Sequence, residues 1–349
     1  MRLQISRQIL AAISLPLTLV FSASAAAVQN PPSYRVVNEI KLGGDGGWDL
    51  LAIDSSTHRL YVSRGTRTMI VDAVEGKLIA EIPDTPGVHG IALASELGKG
   101  FITCGKINSV KVFDLNKNSI LATVPVGNGP DAILYEPLTR HVFVFNHKGK
   151  TVSVLDAKTQ EVIKTIELGG QPELGVADDR GNVFVNLEDT SEVVALDAHD
   201  FVVRSRWPLA PGKEPTGLAI DTKNRRLFSG CANRLMVMTD ADTGKMLATA
   251  PIDSGVDGAA FDPATELIFS SNREGTLTII KEAASRFDVI QTLPTQKGSR
   301  TMVLDSKTHH VYLPAAEFGT PPPPSVENPH PRAAVLPGTF KILDATTTP

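Results

Sequence analysis

Apolar and polar residues alternate over short stretches along most of this chain, and turn-forming residues separate the stretches. An aromatic residue with mostly apolar neighbours recurs every 40 to 44 residues, at Tyr61, Phe101, Phe143, Phe184, Phe228, Phe269 and Tyr312. Each repeat therefore predicts four short strands. In the third repeat these are Ala132–Tyr135, His141–Asn146, Thr151–Asp156 and Val162–Leu168.

Seven repeats of this kind predict an all-β fold, a seven-bladed β-propeller of four-stranded antiparallel blades. Neighbouring blades bury each other's faces, and closure of the ring removes the exposed ends. The last repeat reaches Phe340–Asp344 and has no room for a fourth strand. Tyr34–Ile40 precedes the first repeat and matches the outer strands Leu78–Ile82 and Val162–Ile166. We therefore predict that this N-terminal strand completes the last blade.

The N-terminus has the pattern of a bacterial secretory signal peptide. Arg2 and Arg7 precede a short apolar run, Ile9–Phe21, and small residues follow it. The predicted organisation is a signal peptide at 1–27, a linker at 28–33, a single propeller at 34–344 and a tail at 345–349. No later apolar stretch is long enough to span a bilayer. We expect a periplasmic protein, or one secreted further.

Composition narrows the classes of partner. The 34 basic residues are outnumbered by 38 acidic ones, so the formal net charge is −4. This balance argues against a protein that grips nucleic acid through a basic field. Because a closed propeller exposes no sheet edge that needs a mate, a monomer is expected. Cys104 and Cys231 fall in blades on opposite sides of the ring, so we expect two unpaired thiols.

Several blades share a local motif. Ile53–Val62, Tyr135–Val144 and Leu304–Leu313 each contain an acidic residue, a turn and then the aromatic marker. This motif resembles the YVTN-type repeats of YncE-like bacterial propellers, within the wider WD40-like group, over about residues 34–344. The Trp-Asp pair of true WD repeats occurs once, at Trp48-Asp49, and outside its usual place. The resemblance implies an exported seven-bladed propeller and leaves its activity open.

The residue twelve positions before each aromatic marker stands where the chain enters an innermost strand. These residues are Asp49, His89, Asp131, Pro172, Thr216, Asp257 and Arg300, with Glu173 next to Pro172. Loops at this face surround the mouth of the central channel, where binding residues of such scaffolds lie. One interpretation is that the side chains only cap turns or meet water. The other is a polar ligand pocket formed by Asp49, His89, Asp131, Glu173, Asp257 and Arg300.

A second group of candidates follows the second strand of several blades: Arg64, Asn146, His147, Asn272, Arg273 and Glu317. Asn in such places often serves the turn itself. His89 and His147 lie in adjacent blades, and with Asp49 or Asp131 they would suit a transition metal on the channel axis. No other cofactor is predicted, because haem-attachment and phosphate-loop motifs are absent from the sequence.

The last repeat carries an insertion at 317–338 that is rich in proline, including Pro321 to Pro324. This composition predicts an extended loop without sheet pairing. Long loops in compact folds are functional or disordered. The insertion is therefore either a lid or partner-docking loop at the channel mouth, or inert.

These features favour a non-catalytic exported propeller that binds a small polar ligand or a protein partner at the channel mouth. Two enzymatic alternatives remain. One is a metal-dependent lactonase-type hydrolase, which would use Asp49, Asp131, Glu173, Asp257 and Asn272. The other is a propeller associated with a quinone-linked dehydrogenase. A third possibility is a scaffold that acts only through its rim and the proline-rich loop.

Overall fold

The computed structural model describes residues 33–283, 286–325 and 331–347, which form seven four-stranded antiparallel sheets. The predicted signal peptide at 1–27 and the linker up to residue 32 lie outside the described residues. So do 326–330 of the insertion and 348–349 of the predicted tail.

The first strand, β1 (Tyr34–Lys41), belongs to the last blade, and blade 1 begins with the next strand. Blades 1 to 3 consist of β2 (Leu51–Asp54), β3 (Arg59–Arg64), β4 (Arg67–Asp72) and β5 (Lys77–Ile82); β6 (Val88–Ala94), β7 (Lys99–Cys104), β8 (Ser109–Asp114) and β9 (Ser119–Pro125); and β10 (Pro130–Glu136), β11 (His141–Asn146), β12 (Thr151–Asp156) and β13 (Val162–Glu167).

The strands of the third blade therefore fall within a few residues of the predicted ones. Blades 4 to 7 consist of β14 (Pro172–Ala177), β15 (Asn182–Leu187), β16 (Glu192–Asp197) and β17 (Val203–Pro208); β18 (Pro215–Asp221), β19 (Arg226–Cys231), β20 (Leu235–Asp240) and β21 (Met246–Pro251); β22 (Val256–Asp262), β23 (Leu267–Asn272), β24 (Thr276–Ala283) and β25 (Arg286–Pro294); and β26 (Val303–Asp305), β27 (His310–Ala315) and β28 (Lys341–Thr347), joined by β1.

The aromatic markers form the core between blades. All seven lie on the second strand of their blade, and none is more than 4% exposed. Phe143 of blade 3, for example, packs in one cluster with Val185 and Val194 of blade 4. Apolar side chains on both faces of a sheet need a neighbour on each side, and the ring supplies it.

Ring closure follows the prediction. The last blade has the strand order β1-β28-β27-β26, and β1 pairs antiparallel with β28 from Tyr34–Thr347 to Lys41–Lys341. Between blades, the innermost strand β26 contacts β2. Strand β28 continues to Thr347, so residues 345–347 are part of the sheet, three residues beyond the predicted end of the propeller.

The insertion of the last blade is partly paired at its base, in contrast to the unpaired loop that was predicted. Phe318 forms an isolated antiparallel bridge with Val335, and Gly319 N–H donates to the carbonyl of Ala334 at 2.9 Å. The Phe318 ring lies 5.8 Å from that of Trp48 in the segment that enters blade 1. These apolar residues interrupt the proline-rich sequence and anchor the loop to the propeller.

Two further observations concern the cysteines and the helices of the described residues. Cys104 and Cys231 are both buried and unpaired, as expected from their places in the ring. Within the described ranges, no helix is long and apolar enough to cross a membrane.

Candidate ligand-binding site at the channel mouth

A cavity of about 390 Å³ opens where the innermost strands begin. All six residues predicted to form the pocket line it, and they come from six different blades: Asp49, His89, Asp131, Glu173, Asp257 and Arg300. Thr216 of blade 5 lines it as well. The structure thus brings together residues that are far apart in the sequence.

Backbone bulges place most of these side chains. In blades 2 to 6 the start of the innermost strand contains one residue more than the stretch of the second strand that it pairs with. The cavity-lining residue lies at this irregularity in each blade: His89, Asp131, Glu173, Thr216 and Asp257. Asp257, for instance, stands between Val256 and Gly258, which pair with the consecutive residues Asn272 and Ser271. A bulge leaves the extra residue out of the ladder and redirects its side chain.

Hydroxyl groups of the preceding blade also hydrogen-bond to the backbone of three cavity-lining residues. Thr103 donates to the carbonyl of Asp131 at 2.6 Å, and Ser271 donates to that of Arg300 at 2.6 Å. Thr301 of the last blade donates to the carbonyl of Asp49 at 2.8 Å, across the point of ring closure. These bonds hold the backbone of the site between neighbouring blades, so its charged groups are positioned by the rigid ring.

One half of the cavity contains a network of charges that largely neutralise each other. His89 Nδ1 lies 2.6 Å from Asp49 Oδ2, and Arg300 Nη2 donates to Asp49 Oδ1 at 3.1 Å. Arg300 also forms an ion pair with Asp257. The hydrogen bond to Asp49 raises the pKa of His89 despite its burial. Both carboxylates of this half are therefore matched by cationic groups.

The other half holds carboxylates beside a single imidazole. His147 Nδ1 is 2.9 Å from Glu173 Oε1, and its Nε2 is 4.0 Å from Glu188 Oε2. Contact with Glu173 raises the pKa of His147 to about 9. Burial, together with the charge of Asp49, raises the pKa of Asp131 well above the ordinary value. No lysine or arginine contacts Asp131, Glu173 or Glu188 in the described part of the chain.

Two arginines complete the lining of the cavity, Arg273 from blade 6 and Arg332 from the proline-rich insertion. Both are exposed, and neither guanidinium has an ion-pair or hydrogen-bond partner among the residues the structure describes. Although the side chain is exposed overall, its part against the cavity wall is desolvated, and this desolvation, reinforced by the charge of Arg332, lowers the pKa of Arg273. Two unpartnered cations near each other are a local excess of positive charge.

The secondary candidates divide according to strand alternation. His147 and Arg273 stand four residues after their aromatic markers and line the cavity. Arg64, Asn146 and Asn272 stand three residues after theirs and are fully buried. Successive side chains of a strand point to opposite faces, so these three point between the blades.

None of these three side chains lines the cavity, and each has hydrogen-bond partners elsewhere. Arg64 donates to the carbonyls of Gly46, Gly47 and Gly43. Asn146 donates to Thr151 and Ser153, and Asn272 to Thr276 and Thr278, inside their own blades.

Glu317, the last secondary candidate, is exposed at the base of the insertion and does not line the cavity. Its N–H donates to Thr339 Oγ1 at 3.0 Å. Two charged residues that line the cavity, Glu188 and Arg332, were not among the predicted ones. Glu188 stands four residues after Phe184, so alignment of that position would have found it. Arg332 lies in the insertion, outside the repeat, and no periodic signal points to it.

Comparisons with known proteins agree with this fold. No protein-family model matches the chain. Over 148 residues it is 29% identical to the uncharacterized protein YncE of Salmonella typhi and 28% identical to that of Salmonella typhimurium strain LT2. Each alignment covers 40% of this chain and only 42% of the relative's length.

A solved structure extends the likeness over most of the chain. It is a chain of hydrazine synthase from Kuenenia stuttgartiensis, with a TM-score of 0.67 and 15% sequence identity, covering 77% of this chain and 92% of that one. At that identity the likeness concerns the fold alone. The seven blades show a seven-bladed β-propeller, and over 148 residues its sequence is similar to that of YncE.

Proposed function

We propose that this propeller is an exported bacterial protein that binds a small polar ligand at its channel mouth, without catalysing a reaction itself. The observation that carries the proposal is the convergence of charged side chains from six blades on one cavity of about 390 Å³. A ring built only for packing has no need of such different polar residues at one repeat position. Signal-like residues 1–27 support export to the periplasm or beyond.

The ligand's anionic group is expected to lie at the arginine side of the cavity. Arg273 and Arg332 have no carboxylate partner among the described residues, whereas Arg300 is already engaged by Asp49 and Asp257. A carboxylate or phosphate between the two free guanidinium groups would relieve their repulsion and accept paired hydrogen bonds. The ligand class is therefore a small organic acid or phosphate ester.

The size of the cavity favours a small molecule over a protein partner. Its volume lies in the range typical of small-molecule pockets. The residues that carry charge lie inside the mouth, beside the starts of the innermost strands, where a flat protein surface would not reach all of them. A partner protein would instead meet the rim and the insertion.

The lactonase-type alternative is less well supported, because most of its donor set is engaged by other protein groups. Of the five residues it would use, Asn272 is buried within blade 6, and its amide donates to Thr276 and Thr278. Asp257 is engaged by Arg300. Only Asp49, Asp131 and Glu173 remain available from that set, and Asp49 is bonded to His89 and Arg300.

The proposal is tested with a panel of small carboxylates, amino acids and phosphate monoesters. We expect at least one compound to raise the melting temperature of the purified protein. Arg273→Ala and Arg332→Ala should each weaken its binding by about 10-fold or more, since a charge-assisted hydrogen bond contributes about 1.5–3 kcal/mol. Calorimetry provides the affinities.

The matched control is Arg35→Ala, which removes an exposed arginine of β1 outside the cavity. Its affinity should equal that of the unmodified protein. A panel without any binder, or a binder that both cavity variants retain at full affinity, would overturn the proposed site.

A further inference from the structure

The carboxylate-rich half of the cavity has the composition of a metal site. Asp131, His147 and Glu173 come from blades 3 and 4, and each can bring one ligand atom to within 4.8 Å of the other two. We propose that these three side chains bind one divalent transition-metal ion, with Zn²⁺ as the first candidate. The inference rests on the proposed function in that it concerns the same cavity and adds a metal to it.

The spacing of the donor atoms suits such an ion. Two ligands of a tetrahedral zinc site, each about 2.0–2.1 Å from the metal, lie roughly 3.3 Å apart. The distance from His147 Nδ1 to Glu173 Oε1 is 2.9 Å. Because the third ligand, Asp131, comes from the neighbouring innermost strand, small side-chain rotations bring all three to a common centre.

The imidazole of His147 provides independent support. Its Nδ1 atom is inaccessible to solvent and makes no hydrogen bond of acceptable geometry, although Glu173 is near. A metal ion between Nδ1 and Glu173 Oε1 would engage both atoms. On the other side of the ring, Glu188 lies 4.0 Å from Nε2. Metal-binding histidines commonly direct their second nitrogen towards a carboxylate, which orients the ring.

Electrostatics distinguishes this triad from the adjacent one. Asp49, His89 and Asp131 also lie close enough together to hold an ion. However, Asp49 already accepts a hydrogen bond from Arg300 and contacts His89 at 2.6 Å, so a metal there would displace existing partners. Asp131 and Glu173 have no arginine partner among the described residues: His89 Nδ1 lies 3.6 Å from Asp131 Oδ1, and His147, itself a proposed ligand, lies 2.9 Å from Glu173. An added divalent cation would compensate both carboxylates.

The donor types point to the class of metal. One imidazole and two carboxylates suit first-row transition ions such as zinc, cobalt or nickel, rather than a softer, thiolate-preferring ion. Three protein ligands leave a coordination position open. Since Arg273 and Arg332 line the same cavity, an anionic ligand would use that position and the arginines together.

The inference is tested on full-length mature protein stripped with a chelator and titrated with ZnCl₂ by calorimetry. We expect one zinc per chain, and Co²⁺ should give the visible absorption of a low-symmetry site with nitrogen and oxygen ligands. His147→Ala, Asp131→Asn and Glu173→Gln should each lower zinc affinity by about 10-fold to 100-fold or more. Far-UV circular dichroism and thermal melting verify that each variant is folded.

His199→Ala, which removes an exposed histidine outside the cavity, is the matched control and should bind zinc within a few-fold of the unmodified protein. His89→Ala removes the histidine of the adjacent triad and should cost less zinc affinity than His147→Ala. The inference is overturned if the stripped protein binds no zinc, if His147→Ala binds it unchanged, or if His89→Ala loses as much affinity as His147→Ala.

The compound panel separates this inference from the proposed function. Binding that depends on Arg273 but persists without zinc binding would overturn the metal site and leave the ligand site standing. Stoichiometric zinc binding through His147, with no compound bound, would support the metal site and contradict the proposed ligand.

Discussion

At the scale of single residues, two neighbouring positions on the second strands have opposite environments. The position four residues after the marker faces the cavity, as in His147 and Arg273, whereas the position before it is buried between blades. Arg64 occupies the buried position in blade 1. Its guanidinium donates to three backbone carbonyls of the glycine-rich segment 43–47 and lies 3.9 Å from the centre of the Phe340 ring.

Arg64→Ala should therefore lower stability without acting on the ligand. Three carbonyls would lose a charged donor and the Phe340 ring would lose its cover, so we expect about 2–4 kcal/mol less free energy of unfolding. Denaturant titration measures the change. Arg67→Ala is the matched control, since Arg67 forms a partly exposed ion pair with Glu81 and should cost less than about 1 kcal/mol. Equal losses in both variants would contradict the structural role of Arg64.

The sequence predicted that the six residues of the proposed pocket meet at one cavity, because one position in every repeat lies at the channel mouth. It did not separate Arg64 from His147, since both were assigned to loops after a second strand. Arg64 instead ends β3, and the strand register decides which face its side chain takes. Counting residues from the aromatic marker supplies that register, because the positions three and four residues after it lie on opposite faces of the strand. Arg332 could not be predicted in this way, because its insertion has no counterpart in other blades.

At the scale of elements, β1 is the strand on which closure depends. It pairs with β28 along its length, and Tyr34 at its start is 1% exposed. The Tyr34 ring packs edge-on against Phe269 of blade 6 at 5.0 Å, so β1 also joins the last blade to its neighbour. This closure could be predicted because the last repeat lacks a fourth strand. The pairing at the base of the insertion could not be predicted, because its proline-rich composition indicated an unpaired loop and gave no weight to Phe318 and Val335.

Removal of β1 should destabilise the whole ring. A chain that begins at Gly43 would expose β28 as a sheet edge and uncover Phe269 and Ile342, and we expect a loss of more than about 5 kcal/mol. A chain that begins at Ser33 keeps β1 and should melt as an intact ring. Thermal melting compares the two, and similar melting temperatures would refute closure by β1. Tyr34→Ala, with an expected cost of about 3 kcal/mol, tests the same contact if the shorter chain does not fold.

At the scale of the whole molecule, the rigidity of the ring determines what its mouth can hold. Seven sheets fix the backbone around the cavity, so the backbone cannot spread to relieve the repulsion among the five lining carboxylates. Arg300 compensates two of them, Asp49 and Asp257. Asp131 is partly buried beside Asp49 and Glu173 without an arginine or lysine partner in the described chain. Such a group is costly for the fold and useful for binding a cation.

This cost leads to opposite effects for two similar substitutions in metal-free protein. Asp131→Asn keeps the side-chain shape and removes the crowded charge, so we expect a gain of about 1–2 kcal/mol in the free energy of unfolding at pH 8. Asp257→Asn leaves Arg300 with one partner fewer and should be destabilising by about 1 kcal/mol. Urea titration in the presence of a chelator measures both. Added zinc at 100 times its dissociation constant should then stabilise the unmodified protein by about 2.7 kcal/mol and Asp131→Asn by far less. A metal-free Asp131→Asn variant less stable than the unmodified protein would show that the ring tolerates this charge, and that crowding is no reason for a cation to bind there.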